Sequence, residues 1–303
     1  MSDITTLAHP DDHDRGLAHD LATLRTLNRR RALGLFGAAS TAALLSGCGG
    51  GDGSTGSVST TPTPTPTATP TPTPTATSTG SGGGTASCTA YAQETNGPYP
   101  ADGTNQSNGH TSNVLTLASF QRSDIRSSVT TSTTVADGVL ATITLTVVDS
   151  NNTCAALAGY AVYMWHCDAL GRYSLYDLPT EDYLRGIQVT DANGQVTFTT
   201  IVPGCYAGRY PHIHFEVFSS LANATRGNYA VLVSQLAIPA ATASAVYADS
   251  RYGSSASRYA ATSINSDNVF GDNSTAQKNA MTLAMSGSNA AGYTGGATVG
   301  IAT

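Results

Sequence analysis

The feature that most limits what this chain can fold into is a run of alternating threonine and proline. Between residues 49 and 87, TTPTPTPTATPTPTPTATST is flanked on both sides by glycine- and serine-rich sequence. Alternating Thr-Pro favours the extended polyproline II conformation, and at about 3.1 Å per residue this part spans roughly 50–60 Å. It has almost no apolar surface to bury. We therefore predict a linker over residues 48–87, which leaves residues 88–303 to form a folded domain.

The residues before the linker carry targeting information. Arg29 to Arg31 precede the apolar run ALGLFGAASTAALLSG, which is too short for a comfortable transmembrane helix. The run ends at Cys48 in a sequence that resembles a bacterial lipoprotein box, and the arginines resemble a twin-arginine (Tat) export signal. We expect residues 1–47 to be an export signal. We also expect a lipoprotein, lipid-anchored through Cys48 to a bacterial membrane and facing the periplasm or the cell exterior. An uncleaved anchor helix is the alternative.

The charge balance argues against a nucleic-acid partner. The chain has 14 Lys+Arg and 20 Asp+Glu, a formal net charge of −6. Residues 1–47 hold five of each sign, so the remainder has 9 against 15 and keeps the same −6. A surface of this kind offers no basic patch for nucleic acid or for anionic lipid. Contact with the membrane is therefore expected only through the lipid anchor.

The sequence after the linker shows the patterns of short β-strands. In ATITLTVV, apolar residues alternate with threonines, which predicts a half-buried strand. Further strands are predicted at GYAVYMWH, QVTFTTI, HIHFEVF and YAVLVSQLAI, and short helices in AATASAVYADSRYG. Asn193-Gly194 is a strong hairpin signal before QVTFTTI. We predict an all-β domain, a two-sheet β-sandwich of prealbumin- or immunoglobulin-like topology with short helices and long loops.

Four cysteines remain after the predicted processing. They are Cys88, Cys154, Cys167 and Cys205. In an oxidising compartment this number predicts two disulfides, and the sequence does not choose among the three connectivities. A disulfide at Cys205 would redirect the loop that holds the neighbouring tyrosine.

A pair of histidines, His212 and His214, is the first candidate for chemistry. Side chains at i and i+2 of a strand point to the same face, so both imidazoles can reach one metal ion while Ile213 faces the core. Such pairs occur in zinc, copper and iron sites, and hydrogen-bonded surface pairs are as common. Of the five other histidines, only His110 and His166 lie outside the predicted signal. Three or four imidazoles are thus hard to assemble, whereas tyrosine is plentiful, with 14 in the chain.

Three stretches around this pair closely resemble the intradiol ring-cleavage dioxygenases, non-haem iron(III) enzymes that open catechol-type rings between the two hydroxyls. The stretches are GYAVYMWHCDALGRYSLYD, YLRGIQVTDANGQVTFTTIVPGCY and GRYPHIHFEV. The likeness runs from about Gly97 to Pro239. It implies an enzyme that uses O2 to convert a catecholic compound, such as an aromatic breakdown product, to a muconate-type dicarboxylic acid.

The resemblance also implies a role for eight residues. It places four ligands of one Fe(III) on Tyr173, Tyr206, His212 and His214. The active-site arginine of the family falls on Arg209 and a pocket glutamine on Gln235, and the candidate pocket-wall residues are Tyr99 and Trp165. Fe(III) prefers anionic oxygen donors, and its charge deprotonates tyrosine. In the family, the ligand at Tyr206 is displaced by the catechol and takes a substrate proton, while Arg209 stabilises charge on the ring.

Departures from the intracellular enzymes of this family limit what carries over. The loop between Tyr206 and His212 is shorter than theirs, so substrate preference does not transfer. No N-terminal helical dimerisation segment is present, so the oligomeric state, a homo-oligomer included, stays open.

Two alternatives compete with the ferric enzyme. One is a non-catalytic, membrane-tethered β-sandwich binding module for aromatics or carbohydrate. The other keeps a metal but makes it zinc or copper in a hydrolase- or dismutase-like site. Each residue also has an ordinary interpretation: Tyr173 as a turn residue beside Arg172, Tyr206 as a strand-end aromatic, and Arg209 as a solvated loop cation.

Overall fold

The computed structural model describes residues 88–105, 112–130 and 132–303. The chain divides into two units, and the described residues all lie in the one that includes residues 85–303. The predictions for the export signal, for Cys48 and for the linker lie outside the described residues.

The described part of the chain is mostly strand, as predicted, with two sheets and few helices. One sheet contains β1 (Leu140–Asp149), β2 (Ala155–Ala156), β5 (Gln195–Ile201), β8 (Ala284–Ser288) and β9 (Gly292–Ile301). The other contains β3 (Ala161–Trp165), β4 (Arg185–Val189), β6 (His212–Phe218) and β7 (Leu232–Ala237). Three short α-helices lie at Ala240–Val246, Ser255–Ala260 and Thr275–Met281.

The first sheet is built around β1, whose alternating sequence works as predicted. Ile143, Leu145 and Val147 are fully buried, and the threonines between them are only partly buried. Antiparallel β5 pairs along most of one edge and the short β2 along its end, while β9 runs parallel along the other edge and carries β8. A clean alternation of this kind gives a sheet with one face in the core.

The second sheet is antiparallel, in the order β4-β3-β6-β7, and both faces of its central strands are buried. On the inner face, Ile213, Phe215 and Val217 join the same hydrophobic core as the buried side chains of β1 and β5. The outer face is covered by the loops before β1 and after β3. Phe120 and Tyr176 from these loops pack in a second hydrophobic cluster with side chains of β3 and β4.

Two sequence predictions are corrected by the structure. The turn at Asn193-Gly194 forms, with Gly194 at a φ of 72°, but it does not close a hairpin. The strand before it, β4, pairs with β3, whereas β5 after it pairs with β1 in the other sheet. A turn signal is local and does not determine which partner each flanking strand finds.

The prediction of two disulfides is also wrong. Cys88 and Cys154 form one disulfide, while Cys167 and Cys205 are free and buried. Each free thiol contacts a backbone carbonyl: the Sγ of Cys167 lies 3.5 Å from the oxygen of Gly204, and the Sγ of Cys205 lies 3.5 Å from that of Arg209. The loop at Cys205 is therefore not held by a disulfide.

No helix among the described residues is both long enough and apolar enough to cross a membrane.

Candidate functional site

The two histidines lie side by side on the outer face of β6, as their spacing predicted. Their Nε2 atoms are 3.0 Å apart, and both side chains are 2% exposed. The Nδ1 of His212 lies 2.5 Å from the carbonyl oxygen of Tyr210, so this ring donates Nδ1–H to the backbone and turns Nε2 towards its neighbour. A second-ring hydrogen bond of this kind is common for histidines that bind metal, because it fixes the tautomer and the ring orientation.

Two tyrosines from different loops reach the same place. The hydroxyl of Tyr206, just after the Pro203-Gly204 turn, is 3.1 Å from the Nε2 of His212. The ring of Tyr173 lies 5.9 Å from that of Tyr206 and 6.2 Å from that of His214, measured between centroids. The structure thus brings together all four residues that the sequence resemblance assigned as ligands.

The loop after β3 holds Tyr173 firmly. Its backbone N–H donates to the carboxylate of Asp177 at 2.6 Å, and its ring packs against Tyr99 with centroids 4.8 Å apart. Tyr173 is 1% exposed, whereas Tyr206 is only partly buried. The two tyrosines therefore differ in mobility and in access to solvent.

Burial controls the ionisation of these groups in the protein alone. It raises the pKa of Tyr173 well above its usual range, and the nearby Tyr206 raises it further. Burial, followed by the positive charge of Arg209, lowers the pKa of His212 well below its ordinary value. Both imidazoles are thus neutral and able to offer a lone pair, which is the state in which histidine binds metals.

The arrangement fits a metal ion that prefers oxygen donors. Two ligands at right angles, each about 2.0–2.1 Å from one ion, are about 2.9 Å apart, close to the 3.0 Å between the two Nε2 atoms. The buried hydroxyl of Tyr173 makes no hydrogen bond of normal geometry, so a polar atom is held there without a satisfying partner. Within the described residues, no group of three or more His, Cys, Asp or Glu could hold a metal ion. A metal at the histidine pair would therefore need the tyrosine oxygens.

Arg209 is not the solvated loop cation of its ordinary interpretation. It is 5% exposed, its Nε donates to Asp267 at 3.0 Å, and its Nη2 donates to the side-chain oxygen of Gln235 at 2.7 Å. Burial acts to lower the pKa of Arg209, but Tyr206 and Asp267 outweigh it and the net pKa is raised. A permanent positive charge thus lies beside the tyrosines and histidines.

The two predicted pocket-wall residues have different environments. Trp165 is fully buried and stacked between His214 and Tyr163, at centroid distances of 4.9 Å to both rings. It therefore supports the plane of the His214 imidazole. Tyr99 is partly buried beside Tyr173, at the edge of the site.

Three further residues that shape the site were not identified from the sequence. Gly97, at a φ of 73°, approaches His214 so closely that an added Cβ would lie 3.2 Å from its Cε1 atom. Arg185, at the start of β4, is fully buried and donates to the carbonyls of Tyr99 and Ser174. Asp267, the ion-pair partner of Arg209, lies 58 residues further along the chain. None of the three stands in a local pattern that would have revealed its contact.

Comparison with known proteins supports the resemblance seen in the sequence. Residues 121–212 match the model of a protein family described as Dioxygenase. The match includes Tyr173, Tyr206, Arg209 and His212 and ends two residues before His214. A search of curated proteins found no match.

Solved structures show a similar fold. An intradiol ring-cleavage dioxygenase from Tetranychus urticae is 24% identical, with a TM-score of 0.52, over 71% of this chain and 94% of that one. The dioxygenase domain of a carbohydrate-binding fusion protein from the cellulolytic bacterium Streptomyces sp. SirexAA-E is 22% identical, with a TM-score of 0.43, over 70% of this chain and 98% of that one.

The resemblance to the intradiol ring-cleavage dioxygenases is thereby confirmed, and with it the predicted class of enzyme. The family match is confined to residues 121–212, and the first of the two structural likenesses supports the fold. The metal, the substrate and the residue roles do not follow from these comparisons.

Proposed function

We propose that this enzyme holds one ferric ion through Tyr173, Tyr206, His212 and His214 and uses O2 to cleave a catechol-type ring to a muconate-type dicarboxylic acid. The observation that carries the proposal is the convergence of two tyrosine hydroxyls and two imidazole Nε2 atoms in one buried place. Two anionic oxygens and two neutral nitrogens match the preference of Fe(III) better than that of zinc or copper. When bound, the ion would supply Lewis acidity and make a coordinated catecholate reactive towards O2.

Tyr206 is the better candidate for the ligand that a substrate displaces. It is partly exposed, whereas Tyr173 is buried and fixed by the carboxylate of Asp177 and the ring of Tyr99. A phenolate released from a cation regains its ordinary basicity, so the Oη of Tyr206 would take a proton from a catechol hydroxyl. Tyr173 would stay in place and keep the site assembled.

Arg209 would act through its charge. A guanidinium fixed inside a buried site interacts strongly with negative charge that develops on a substrate, because little solvent screens it and little reorganisation is needed. Its Nε and Nη2 are occupied by Asp267 and Gln235. A bound ring would therefore meet an arginine of fixed orientation.

Several finer predictions extend this proposal. We retain a prealbumin- or immunoglobulin-like sandwich topology, export by a Tat-type signal, and a lipid anchor at Cys48 that tethers the enzyme outside the cytoplasm. The partners are a catecholic small molecule and O2, with assembly into a homo-oligomer left open. The non-catalytic binding module is not favoured, because the segment that carries most of the candidate ligands matches a dioxygenase family.

Colour and oxygen consumption test the proposal. The protein is purified, loaded with iron, and its visible spectrum is recorded before and after addition of catechol. Tyrosinate bound to Fe(III) absorbs visible light, so we expect a reddish protein whose band shifts on catechol binding, with O2 consumed across a panel of catechols. A colourless protein that retains zinc in preference to iron would refute the metal assignment. A coloured protein that binds catechols without consuming O2 would be a binding module.

A further inference from the structure

The carboxylate of Asp267 is the most heavily hydrogen-bonded group beside the site. Its Oδ2 accepts from the Nε of Arg209 at 3.0 Å and from the backbone N–H of Tyr210 at 2.6 Å. Its Oδ1 accepts from the Nη2 of Arg209 at 3.3 Å and from the backbone N–H groups of Val269 and Phe270 at 2.9 and 3.1 Å. The carboxylate is thus bound to the backbone on both sides of the arginine it holds.

This ion pair is buried on both sides. The side chain of Arg209 is 6% exposed and that of Asp267 is fully buried. A buried pair of charges costs desolvation energy that its mutual attraction barely offsets, so such a pair is weak evidence of a stabilising role. Its value lies more in geometry, because a guanidinium held at two nitrogens by one carboxylate has a fixed plane.

Gln235 completes the hold on the arginine. It lies on β7 directly opposite His214 of β6, and its side-chain nitrogen donates to the carbonyl of Thr95 at 3.1 Å. Its side-chain oxygen accepts from the Nη2 of Arg209. Nε and Nη2 are therefore both occupied, and among the described residues no hydrogen bond is found for Nη1.

We infer that Asp267 is a positioning residue of the active site, which together with Gln235 fixes Arg209 so that Nη1 serves the bound ring. The inference rests on the proposed function, in which Arg209 stabilises charge on a catechol. It adds that the loop after the helix Ser255–Ala260 supplies part of the catalytic apparatus. That loop lies outside the segment that matches the dioxygenase family.

A double-mutant cycle tests this inference in the iron-loaded, full-length protein. The variants are Asp267→Asn, Arg209→Gln and the double variant, and the readouts are kcat and KM for catechol and the affinity for 4-nitrocatechol. We expect Asp267→Asn to lower kcat/KM by about 10- to 100-fold, because a misplaced group loses much of its effect. In the Arg209→Gln background the same change should cost at most about threefold, because the residue through which Asp267 acts is gone.

A merely structural carboxylate gives a different result. Its loss would lower the melting temperature and multiply with the loss of Arg209, and independent effects of this kind would overturn the inference. If Asp267→Asn does not fold, the cycle uses Asp267→Glu, which keeps the charge but moves the carboxylate by one methylene. A folded Asp267→Glu protein with wild-type kcat/KM would likewise overturn it.

The wild-type protein separates this inference from the proposed function. A wild type that binds 4-nitrocatechol but consumes no O2 refutes the enzyme proposal, and the cycle in binding affinity then decides the role of Asp267. A wild type that does neither overturns both.

Discussion

At the scale of single residues, the two tyrosines of the site share a chemical group but differ in what surrounds it. Tyr173 is buried and held from its backbone and its ring, while Tyr206 is partly exposed. The sequence resemblance named both as ligands without distinguishing their environments. The difference became visible only in the folded chain, because it depends on how the loops after β3 and β5 pack.

Tyr173→Phe should remove one oxygen donor and leave the fold in place. We expect the iron-loaded variant to hold less iron, to lose or shift its visible absorption, and to lose about 100-fold or more in kcat/KM. Tyr229→Phe is the matched control, since Tyr229 is 60% exposed and distant in sequence from the four candidate ligands. An unchanged spectrum in Tyr173→Phe would remove this residue from the ligand set.

His166 is a buried histidine whose burial makes the stability of the domain depend on pH. It is 1% exposed, with Nδ1 at 2.8 Å from the carbonyl of Cys167 and Nε2 at 2.6 Å from the hydroxyl of Thr200. Burial lowers the pKa of His166 from 6.5 to about 4. The neutral ring is therefore favoured by folding.

The sign of the effect follows from the depressed pKa. The contribution of His166 is fully present above pH 6.5, is lost as the pH falls towards 4, and amounts to about 3 kcal/mol. We expect the free energy of unfolding of the wild type to fall more steeply between pH 6.5 and pH 4.5 than that of His166→Gln. Urea unfolding of both proteins at the two pH values measures this. Equal losses in the two proteins would contradict the assignment.

Prediction from the sequence was uneven at this scale. Every ligand candidate lay within a recognisable motif, and the structure brings those four residues together. Asp267, Arg185 and Gly97 were missed for a physical reason. Their roles come from contacts between segments that are distant in the chain, and a residue type alone does not report such contacts.

At the scale of elements, β6 explains why the site lies where it does. Its odd-numbered residues pack into the core between the sheets, and its even-numbered residues carry the histidines on the outer face. The outer face must then be covered by other segments, and the loops before β1 and after β3 provide that cover. Alternation in the sequence predicted the strand and the shared face of the histidines, but it did not predict the cover.

Arg185 at the start of β4 ties these covering loops to the sheet. Its guanidinium donates to the carbonyls of Tyr99, Pro100 and Ser174 and to the side chains of Ser174 and Tyr163. Tyr99 is a candidate pocket residue, and Ser174 follows the candidate ligand Tyr173. One buried cation therefore holds both sides of the site.

Arg185→Lys should loosen this attachment, because an ammonium group cannot make the same set of hydrogen bonds. We expect a loss of about 3 kcal/mol or more in the free energy of unfolding, together with weaker iron binding. Arg126→Lys is the control, because Arg126 pairs with Asp124 at the surface and its replacement should cost less than about 0.5 kcal/mol. Denaturant unfolding and iron content are the measurements. Equal stability of the two variants would refute the role of Arg185.

At the scale of the whole molecule, sheet membership was the least predictable feature. β1 and β9 pair in parallel although Ala141 and Tyr293, which face each other, are far apart in the chain. Strand patterns reveal that a segment is extended, but the partner of each strand is decided by the packing of the entire core. For this reason the all-β class was predicted, while the hairpin at Asn193-Gly194 was not a hairpin.

The disulfide between Cys88 and Cys154 closes a loop of considerable length, with a sequence separation of 66 residues. A crosslink of this span reduces the entropy of the unfolded chain, which corresponds to about 4 kcal/mol. We expect reduction to lower the free energy of unfolding by that order. A Cys88→Ser/Cys154→Ser variant should start at the lower value and not respond to reductant. A wild-type protein equally stable with and without reductant would contradict this.

The central claim is that the enzyme opens a catechol ring between its two hydroxyls, and the identity of the product tests it most directly. The iron-loaded, full-length protein is given catechol and isotopically labelled O2, and the product is analysed by mass spectrometry. The account predicts a muconate-type dicarboxylic acid, formed one for each O2 consumed and carrying both labelled atoms. A ring-opened aldehyde, a product without label, or no consumption of O2 by any catechol tested would contradict it.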